Sequence, residues 1–154
     1  MALKTGYLDN AGHPHLKIKV WGLSADFGRE FEAMIDTGFS GYLMLPLVQA
    51  LPLALTLFGT TTYTLADGSQ SPKLLVHGSI DHEGEISSGL IVLEANASSG
   101  PLLGMEFLRQ SSKVLVLGKR GVFLVDESEF PAEEVKEVSD IPTEKPTIPP
   151  GDSD

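Results

Sequence analysis

The stretch Ala33-Met34-Ile35-Asp36-Thr37-Gly38-Phe39-Ser40-Gly41 places three apolar residues directly before an acid and follows that acid with two glycines. The pattern predicts a buried strand that ends in a tight loop bearing the Asp36 carboxylate. An ionised carboxylate beside apolar residues must be paired, hydrogen-bonded or protonated. Gly38 and Gly41 can adopt backbone conformations closed to other residues, so main-chain N–H groups can turn toward the acid. Asp-Thr-Gly alone is equally compatible with an Asx-type turn in which Asp36 caps its own loop.

A second stretch has the same form. Pro101-Leu102-Leu103-Gly104-Met105-Glu106-Phe107-Leu108-Arg109 reads as an apolar strand that ends at a glycine and continues as a short amphipathic helix. With Met34-Ile35-Asp36-Thr37-Gly38 and Leu102-Leu103-Gly104 in this order, the chain resembles the retropepsin-like (clan AA) aspartic proteases, in particular single-domain bacterial homologues of the retroviral enzymes. In that family one strand has two apolar residues before Asp-Thr-Gly, and a later strand has two apolar residues before glycine and a helix. The resemblance covers most of residues 1–126.

The resemblance implies a fold class and roles for the motif residues. The fold would be mainly β, a closed or folded antiparallel barrel-like acid-protease domain with one short helix after Leu102-Leu103-Gly104. Asp36 would be the catalytic acid, Thr37 would hydrogen-bond across a dimer, and Gly38 would let the substrate and the partner loop come close. Phe39 is a departure from the family, because two-lobed members have a hydroxyl residue there and retroviral members a small apolar one.

Between the two motifs, residues 60–65 and 73–80 are β-prone and flank an Asp-Gly pair, which is a strong hairpin signal. In the resembled family a glycine-bearing hairpin at this place forms the flap that closes over the substrate. An ordinary surface hairpin is the alternative. The predicted substrate-binding residues are the hairpin tip and the neighbour of the acid, namely Ala66, Asp67, Gly68, Ser69 and Phe39.

The remaining pattern predicts an antiparallel meander. Apolar and polar residues alternate from His15 to Gly22, as in a half-buried strand. Pro46 opens one predicted helical turn over residues 46–51. His13 and His15 are expected to be solvated turn residues, because no further His or acid cluster lies at metal-ligand spacing. Residues 81–84 could suggest a metal site by their mixed acid and imidazole, but a polar hairpin tip has the same composition and is the interpretation favoured here. Further strands are predicted at residues 3–8, 29–35, 42–45, 85–94, 114–117 and 122–125.

Length and motif count bear on assembly. A chain of 154 residues is one domain by the usual prior, and it contains a single Asp-Thr-Gly and no internal repeat. Aspartic proteolysis needs two carboxylates that share a proton, so the second acid would come from an identical chain. We expect the protease domain to span residues 1–130. Residues 131–154 hold seven acids, two bases and five prolines, a composition typical of a disordered tail.

Composition excludes several classes of function. No cysteine is present, which excludes disulfides and thiolate chemistry, and the net charge of −10 argues against nucleic acid as a partner. Neither a secretory signal nor an apolar run long enough to span a bilayer is recognised, so we expect a cytoplasmic protein without a membrane partner. Ser40 does not lie in a Gly-x-Ser-x-Gly elbow. No cofactor and no metal are expected.

These observations predict a homodimeric aspartic endopeptidase, in which a water between two Asp36 carboxylates hydrolyses an extended peptide. The alternative is a catalytically silent dimer that keeps the fold and binds peptides or acts as a scaffold. Asp36, Thr37 and Gly38 favour the enzyme, whereas Phe39 favours the alternative.

Overall fold

The computed structural model describes residues 3–96 and 100–129, so the predicted tail, residues 131–154, lies outside the described residues. The described chain is mainly β, as predicted. Two short α-helices, α1 (Leu47–Ala50) and α2 (Met105–Gln110), and three single 3-10 turns connect the strands. The strands are β1 (Leu3–Leu8), β2 (Pro14–Trp21), β3 (Arg29–Ile35), β4 (Leu43–Pro46), β5 (Thr56–Thr64), β6 (Gln70–His82), β7 (Glu85–Glu94), β8 (Leu102–Leu103), β9 (Lys113–Gly118) and β10 (Gly121–Asp126).

All ten strands belong to one sheet, in the order β5-β6-β7-β4-β8-β3-β2-β1-β10-β9. An additional pairing of β6 with β2 joins two strands that lie five places apart in this order, so the sheet folds back on itself. Most strand pairs are antiparallel, as predicted, whereas β3 pairs with β8 and β4 pairs with β7 in parallel. Since β3 and β8 run in the same direction, Asp36 and Gly104 follow the carboxyl ends of two neighbouring strands and lie on the same side of the sheet's hydrogen-bonded region.

Alternation along the strands builds the core on the inner side of this folded sheet. On β2, Leu16, Ile18 and Val20 are buried, while the residues between them are exposed or half-buried. Each such side chain contributes about 1.5–3 kcal/mol when removed from water. The core continues through side chains of β3, β4, β6, β7, β8, β10 and α2, among them Ile35, Leu43, Leu45, Val76, Ile80, Ile91, Leu103, Phe107 and Val122.

Several predicted boundaries differ from the structure. Pro46 ends β4 and forms the N-cap of α1, so it precedes the helix and does not begin it. The predicted turn at residues 81–84 is only two residues long, because β6 extends to His82 and β7 begins at Glu85. Glu83 and Gly84 both have positive φ, 52° and 88°, which is the geometry of a tight hairpin turn. His82 is therefore a buried strand residue.

The prediction of solvated histidines is correct for one residue and wrong for the other. His13 has a 58% exposed side chain, whereas the His15 side chain is only 18% exposed. The His15 ring stacks on Tyr7 with centroids 5.2 Å apart, and its Nε2 lies 2.8 Å from Asp9 Oδ2.

Of the helices in the described part of the chain, none has the length and apolar character needed to cross a bilayer.

Candidate active site

Asp36 follows β3 directly, and three hydrogen bonds hold it in the loop. Its backbone N–H donates to the carbonyl of Leu103 at 2.9 Å, and its own carbonyl accepts the N–H of Phe39 at 3.1 Å. The Gly38 N–H donates to Asp36 Oδ1 at 2.9 Å. The loop is thus an Asx-type turn, as one interpretation of the sequence expected. This geometry fixes a half-buried carboxylate beside the exposed residues Thr37 and Gly38.

The second motif and the start of α2 contact this loop through backbone hydrogen bonds. The first N–H groups of α2, from Met105 and Glu106, donate to the carbonyls of Phe39 at 2.8 Å and Gly41 at 3.1 Å. The N–H of Gly104, the N-cap residue, donates to the carbonyl of Tyr42 at 3.1 Å. The amino end of a helix has N–H groups without partners in the helix, and the Asp36 loop supplies acceptors for them. The structure therefore brings Asp36 and the Leu102-Leu103-Gly104 motif into direct contact.

The Phe39 side chain points into this junction. Its exposed fraction is 8%. A Cβ built on Gly41 would lie 2.6 Å from Phe39 Cζ, and one built on Gly104 would lie 2.7 Å from Phe39 Cδ1. The ring therefore occupies space that two glycines leave free. In the single chain the ring packs against Gly41 and Gly104. The contact of Phe39 with substrate stays a prediction.

The predicted flap is a real hairpin with an exposed tip. Leu65 and Ser69 close the turn, since the Leu65 N–H donates to the Ser69 carbonyl at 2.8 Å and the Gly68 N–H to the Leu65 carbonyl at 2.9 Å. Asp67 Oδ1 accepts the Ser69 hydroxyl at 2.6 Å and the Ser69 N–H at 2.8 Å, and these two bonds lower the pKa of Asp67. Gly68 has φ of 83° and no atom within 4 Å of a built Cβ, so the tip, including Ala66, projects into open space.

Tyr42 is a supporting residue that sequence reasoning missed. Its side chain is fully buried, its hydroxyl lies 2.7 Å from Ser87 Oγ, and its ring lies 6.1 Å from that of Phe107 on α2. Burial raises the pKa of Tyr42 to about 12, against a smaller opposing effect of the Ser87 bond. Tyr42 thus anchors the end of the Asp36 loop to both β7 and α2. An aromatic residue directly after Gly41 was the available signal.

A small polar cluster lies near the end of β3. In the β2–β3 register His15 is opposite Met34, two residues before Asp36. Asp9 Oδ1 accepts the N–H groups of His13 and Ala11, both at 2.9 Å. The pKa of Asp9 is lowered to about 2, first by the hydrogen bond from the His13 N–H and next by the hydrogen bond with the His15 side chain. Within the described ranges no group of three or more His, Asp or Glu side chains is placed to hold a metal ion.

Comparison with solved structures identifies the fold. The chain superposes on the EIAV protease complexed with the inhibitor HBY-793 with a TM-score of 0.55 and 14% identity, covering 71% of this chain and 97% of that one. A retropepsin-like aspartic protease from Rickettsia conorii gives a TM-score of 0.55 and 18% identity, covering 80% of this chain and 89% of that one. No protein-family model and no curated protein matches the sequence. The fold is thus that of the retropepsin-like aspartic proteases.

Proposed function

We propose that this chain is an aspartic endopeptidase that acts as a homodimer, with one Asp36 from each chain. The observation that supports it most is the hydrogen-bonded junction between the Asp36 loop and the start of α2. This junction holds a half-buried carboxylate, with Thr37 and Gly38 exposed beside it. The fold shared with known aspartic proteases supports the same activity.

The need for a second chain follows from the chemistry and the sequence. The sequence has one Asp-Thr-Gly, so a single chain has one acid of this kind. Two carboxylates within hydrogen-bonding distance cannot both be ionised comfortably, and such a pair holds one proton. An isologous contact formed around this loop would bring Asp36 of each chain together at the symmetry axis. Exposure of Thr37 and Gly38 leaves them free for that contact.

The reaction then needs no covalent intermediate. The ionised Asp36 takes a proton from a bound water, whose oxygen attacks the peptide carbonyl carbon, while the protonated Asp36 of the other chain donates a hydrogen bond to the carbonyl oxygen. The tetrahedral species collapses by breaking the C–N bond, and the leaving amine takes a proton from the dyad. The dyad ends with one proton, ready for another water.

Substrate would lie between the dyad and the hairpin of β5 and β6. An extended peptide can add to the exposed edge of a sheet, with backbone hydrogen bonds giving affinity and pockets reading alternate side chains. β5 is at one end of the strand order, so its outer edge is free for such pairing among the described strands.

The cytoplasmic location and the disordered acidic tail at residues 131–154 stay predictions.

The test is cleavage of a diverse peptide library by the wild type and by Asp36→Asn, from neutral to mildly acidic pH. We expect cleavage that is strongest under mildly acidic conditions, because the dyad must retain one proton. A statine-type inhibitor, whose hydroxyl mimics the tetrahedral species, should block it. Asp36→Asn should abolish it, and Asp26→Asn, at an exposed acid outside the loop, should not.

Cleavage that resists the inhibitor but stops with a metal chelator would contradict the proposal. The silent peptide-binding or scaffold dimer would be indicated by a wild type that binds library peptides without cleaving them. The Phe39 ring is buried, so its bulk is accommodated within the single chain.

A further inference from the structure

A polar cleft lies at the carboxyl end of α2, whereas the amino end of α2 contacts the Asp36 loop. Its volume is about 380 Å³, and Ile86, Phe107 and Gln110 form part of its wall. The cleft separates the turn between β6 and β7 from the C-terminal hairpin of β9 and β10. Its polar and charged lining includes His82, Glu85, Ser111, Lys113 and Asp126.

His82 is the buried polar residue of the described chain, with an exposed fraction of 8%. Its Nε2 is buried and has no hydrogen-bond partner. A buried polar atom without a partner costs free energy, and the cost grows when the group becomes charged. Burial accordingly lowers the pKa of His82 below its usual value of 6.5 and outweighs the nearby carboxylates.

Three charged side chains bridge the cleft. Lys113 Nζ on β9 lies 2.9 Å from Glu85 Oε1 on β7 and 2.6 Å from Asp126 Oδ1 on β10. The Lys113 side chain is 14% exposed, while Glu85 and Asp126 are 58% and 57% exposed. We call Glu85, Lys113 and Asp126 the clasp, because the Glu85–Lys113 pair joins the β6–β7 turn to the C-terminal hairpin.

Glu85 belongs to the clasp and is also the neighbour of His82 across the turn. The two residues are directly opposite each other across the hairpin turn, as partners in the β6–β7 register. Neutral His82 gives Glu85 no charge to pair with, so Glu85 pairs with Lys113. The charged groups around His82 are Asp81 on β6, Glu83 in the turn, Glu85 on β7, Lys113 on β9 and Asp126 on β10. β1 contributes Thr5, whose Oγ1 is also buried without a partner.

From this arrangement we infer that His82 and the clasp form an acid-sensitive switch. Proton uptake by His82 gives Glu85 a second cation directly across the turn, weakens the Glu85–Lys113 pair and frees the β6–β7 turn from the C-terminal hairpin. The switch concerns the folded chain alone and does not depend on peptidase activity. α2 forms one wall of the cleft and also contacts the Asp36 loop, so opening changes the support of that loop.

The direction of the pH dependence follows from linkage. The pKa of His82 is lower in the closed form than the value of 6.5 expected when the residue is exposed. The closed form is therefore fully favoured above about pH 6.5, and this advantage declines as the pH falls toward the lowered value. At about pH 5.5, one unit below the exposed value, the opening equilibrium can increase by up to about tenfold.

The test combines NMR titration of the histidine rings with hydrogen exchange measured by mass spectrometry, on the full chain at about pH 7.5 and about pH 5.5. His82→Gln removes the titrating group. His77→Gln is the matched control, since His77 is an exposed histidine on the same strand. Variants are compared at equal pH so that the intrinsic pH dependence of exchange cancels.

We expect the wild type and His77→Gln to exchange faster than His82→Gln around residues 82–87 and 113–126 at the acidic pH only. Glu85→Gln should raise exchange in both segments already at the neutral pH, because the clasp is then broken. Should His82→Gln fold poorly, the wild-type titration decides alone. The switch is refuted if the His82 ring titrates at pH 6.5 or above, or if hydrogen exchange at the Lys113 amide does not change over the pH range in which His82 titrates. It is also refuted if hydrogen exchange in His82→Gln responds to acid as it does in the wild type.

Discussion

Gly104 has no space for a side chain, because it lies where the Asp36 loop and the start of α2 meet. A Cβ there would lie 2.0 Å from the Gly41 carbonyl oxygen and 2.7 Å from Phe39 Cδ1. The first contact is with backbone, which cannot move without breaking the hydrogen bonds that join the two motifs. We expect Gly104→Ala to lower the free energy of unfolding by about 1–3 kcal/mol, measured by urea denaturation.

Gly118→Ala is the control for this substitution. Gly118 ends β9, has no positive φ, and would place its Cβ with no atom within 4 Å. Its effect should stay within about 0.5 kcal/mol, as for other surface changes. Equal losses from the two variants would show that the close approach at Gly104 contributes nothing specific.

A second prediction at the residue scale concerns Asp9. Its pKa of about 2 in the folded chain is below the ordinary value of 3.8, first because of the His13 N–H and then because of His15. A carboxyl with a lowered pKa stabilises the fold above its unfolded pKa, and this contribution is lost as the pH falls through the folded value. The stability difference between wild type and Asp9→Asn should thus be constant near neutral pH and shrink between about pH 4 and about pH 2. Thermal unfolding across this range measures it.

Asp26→Asn serves as the reference, since Asp26 is exposed in a 3-10 turn away from the histidines. A difference between wild type and Asp9→Asn that persists unchanged at about pH 2 would contradict the role given to the Asp9 carboxylate.

Phe39 shows what single-residue reasoning could not supply. The sequence identifies Phe39 as too large for its place in the resembled family. Its actual position depends on Gly41 and Gly104, which lie two and sixty-five residues away and leave room for the ring. The place of Asp36 at the end of a buried strand, by contrast, was predictable, because the apolar run before it and the glycines after it are local signals.

At the scale of elements, the tip of the β5–β6 hairpin depends on the positive φ of one glycine, Gly68. Gly68 has φ of 83°, a region that costs other residues about 1–2 kcal/mol. Gly68→Ala should strain the tip and leave the core unchanged. If this hairpin closes over the substrate, kcat/KM for a library peptide should fall by about fivefold or more, since 1.4 kcal/mol corresponds to about tenfold.

Gly12→Ala is a matched control for the hairpin. Gly12 has φ of 85° in the turn between β1 and β2 and also has no atom within 4 Å of a built Cβ. The strain should be similar, but cleavage should be unaffected because this turn is not the predicted flap. Equal loss of activity in both variants would mean that hairpin strain acts through stability, and the β5–β6 hairpin would lose its assignment as flap.

The elements that were predictable have strong local patterns. β3, β7 and the β9–β10 hairpin follow the predicted ranges closely, because alternation or unbroken apolar runs mark them and glycines bound them. The parallel pairing of β3 with β8 was not predictable, because β8 has only two residues and its partner is sixty-eight positions away. The buried His82 was missed since its polar neighbours resemble those of a turn.

At the scale of the whole molecule, the two ends of the strand order remain open. β5 and β9 are the terminal strands of the sheet in the described chain, and β9 exposes Val116 and Leu117. Exposed apolar edge strands favour pairing with another chain. Such an edge is compatible with the proposed dimer, in which a single chain is inactive because it holds one Asp36.

The shared site has a quantitative consequence. Asn is nearly isosteric with Asp, so Asp36→Asn chains should still assemble with wild-type chains. After dissociation and random reassociation of equal amounts, about a quarter of the dimers contain two wild-type chains, and mixed dimers have lost the dyad. Activity per total dimer should therefore fall to about a quarter of the wild-type value. Gln49→Asn, at an exposed residue of α1, provides a mixture that should retain full activity.

Dilution tests the same site by another route. Below the dimer dissociation constant, folded monomers predominate and each holds one catalytic carboxylate, so specific activity should decline with concentration and recover on reconcentration. Light scattering under assay conditions gives the mass that accompanies each activity. If activity follows the wild-type fraction linearly, falling to about half in the equal mixture, and the active species has a monomeric mass, then the two Asp36 residues do not share one site.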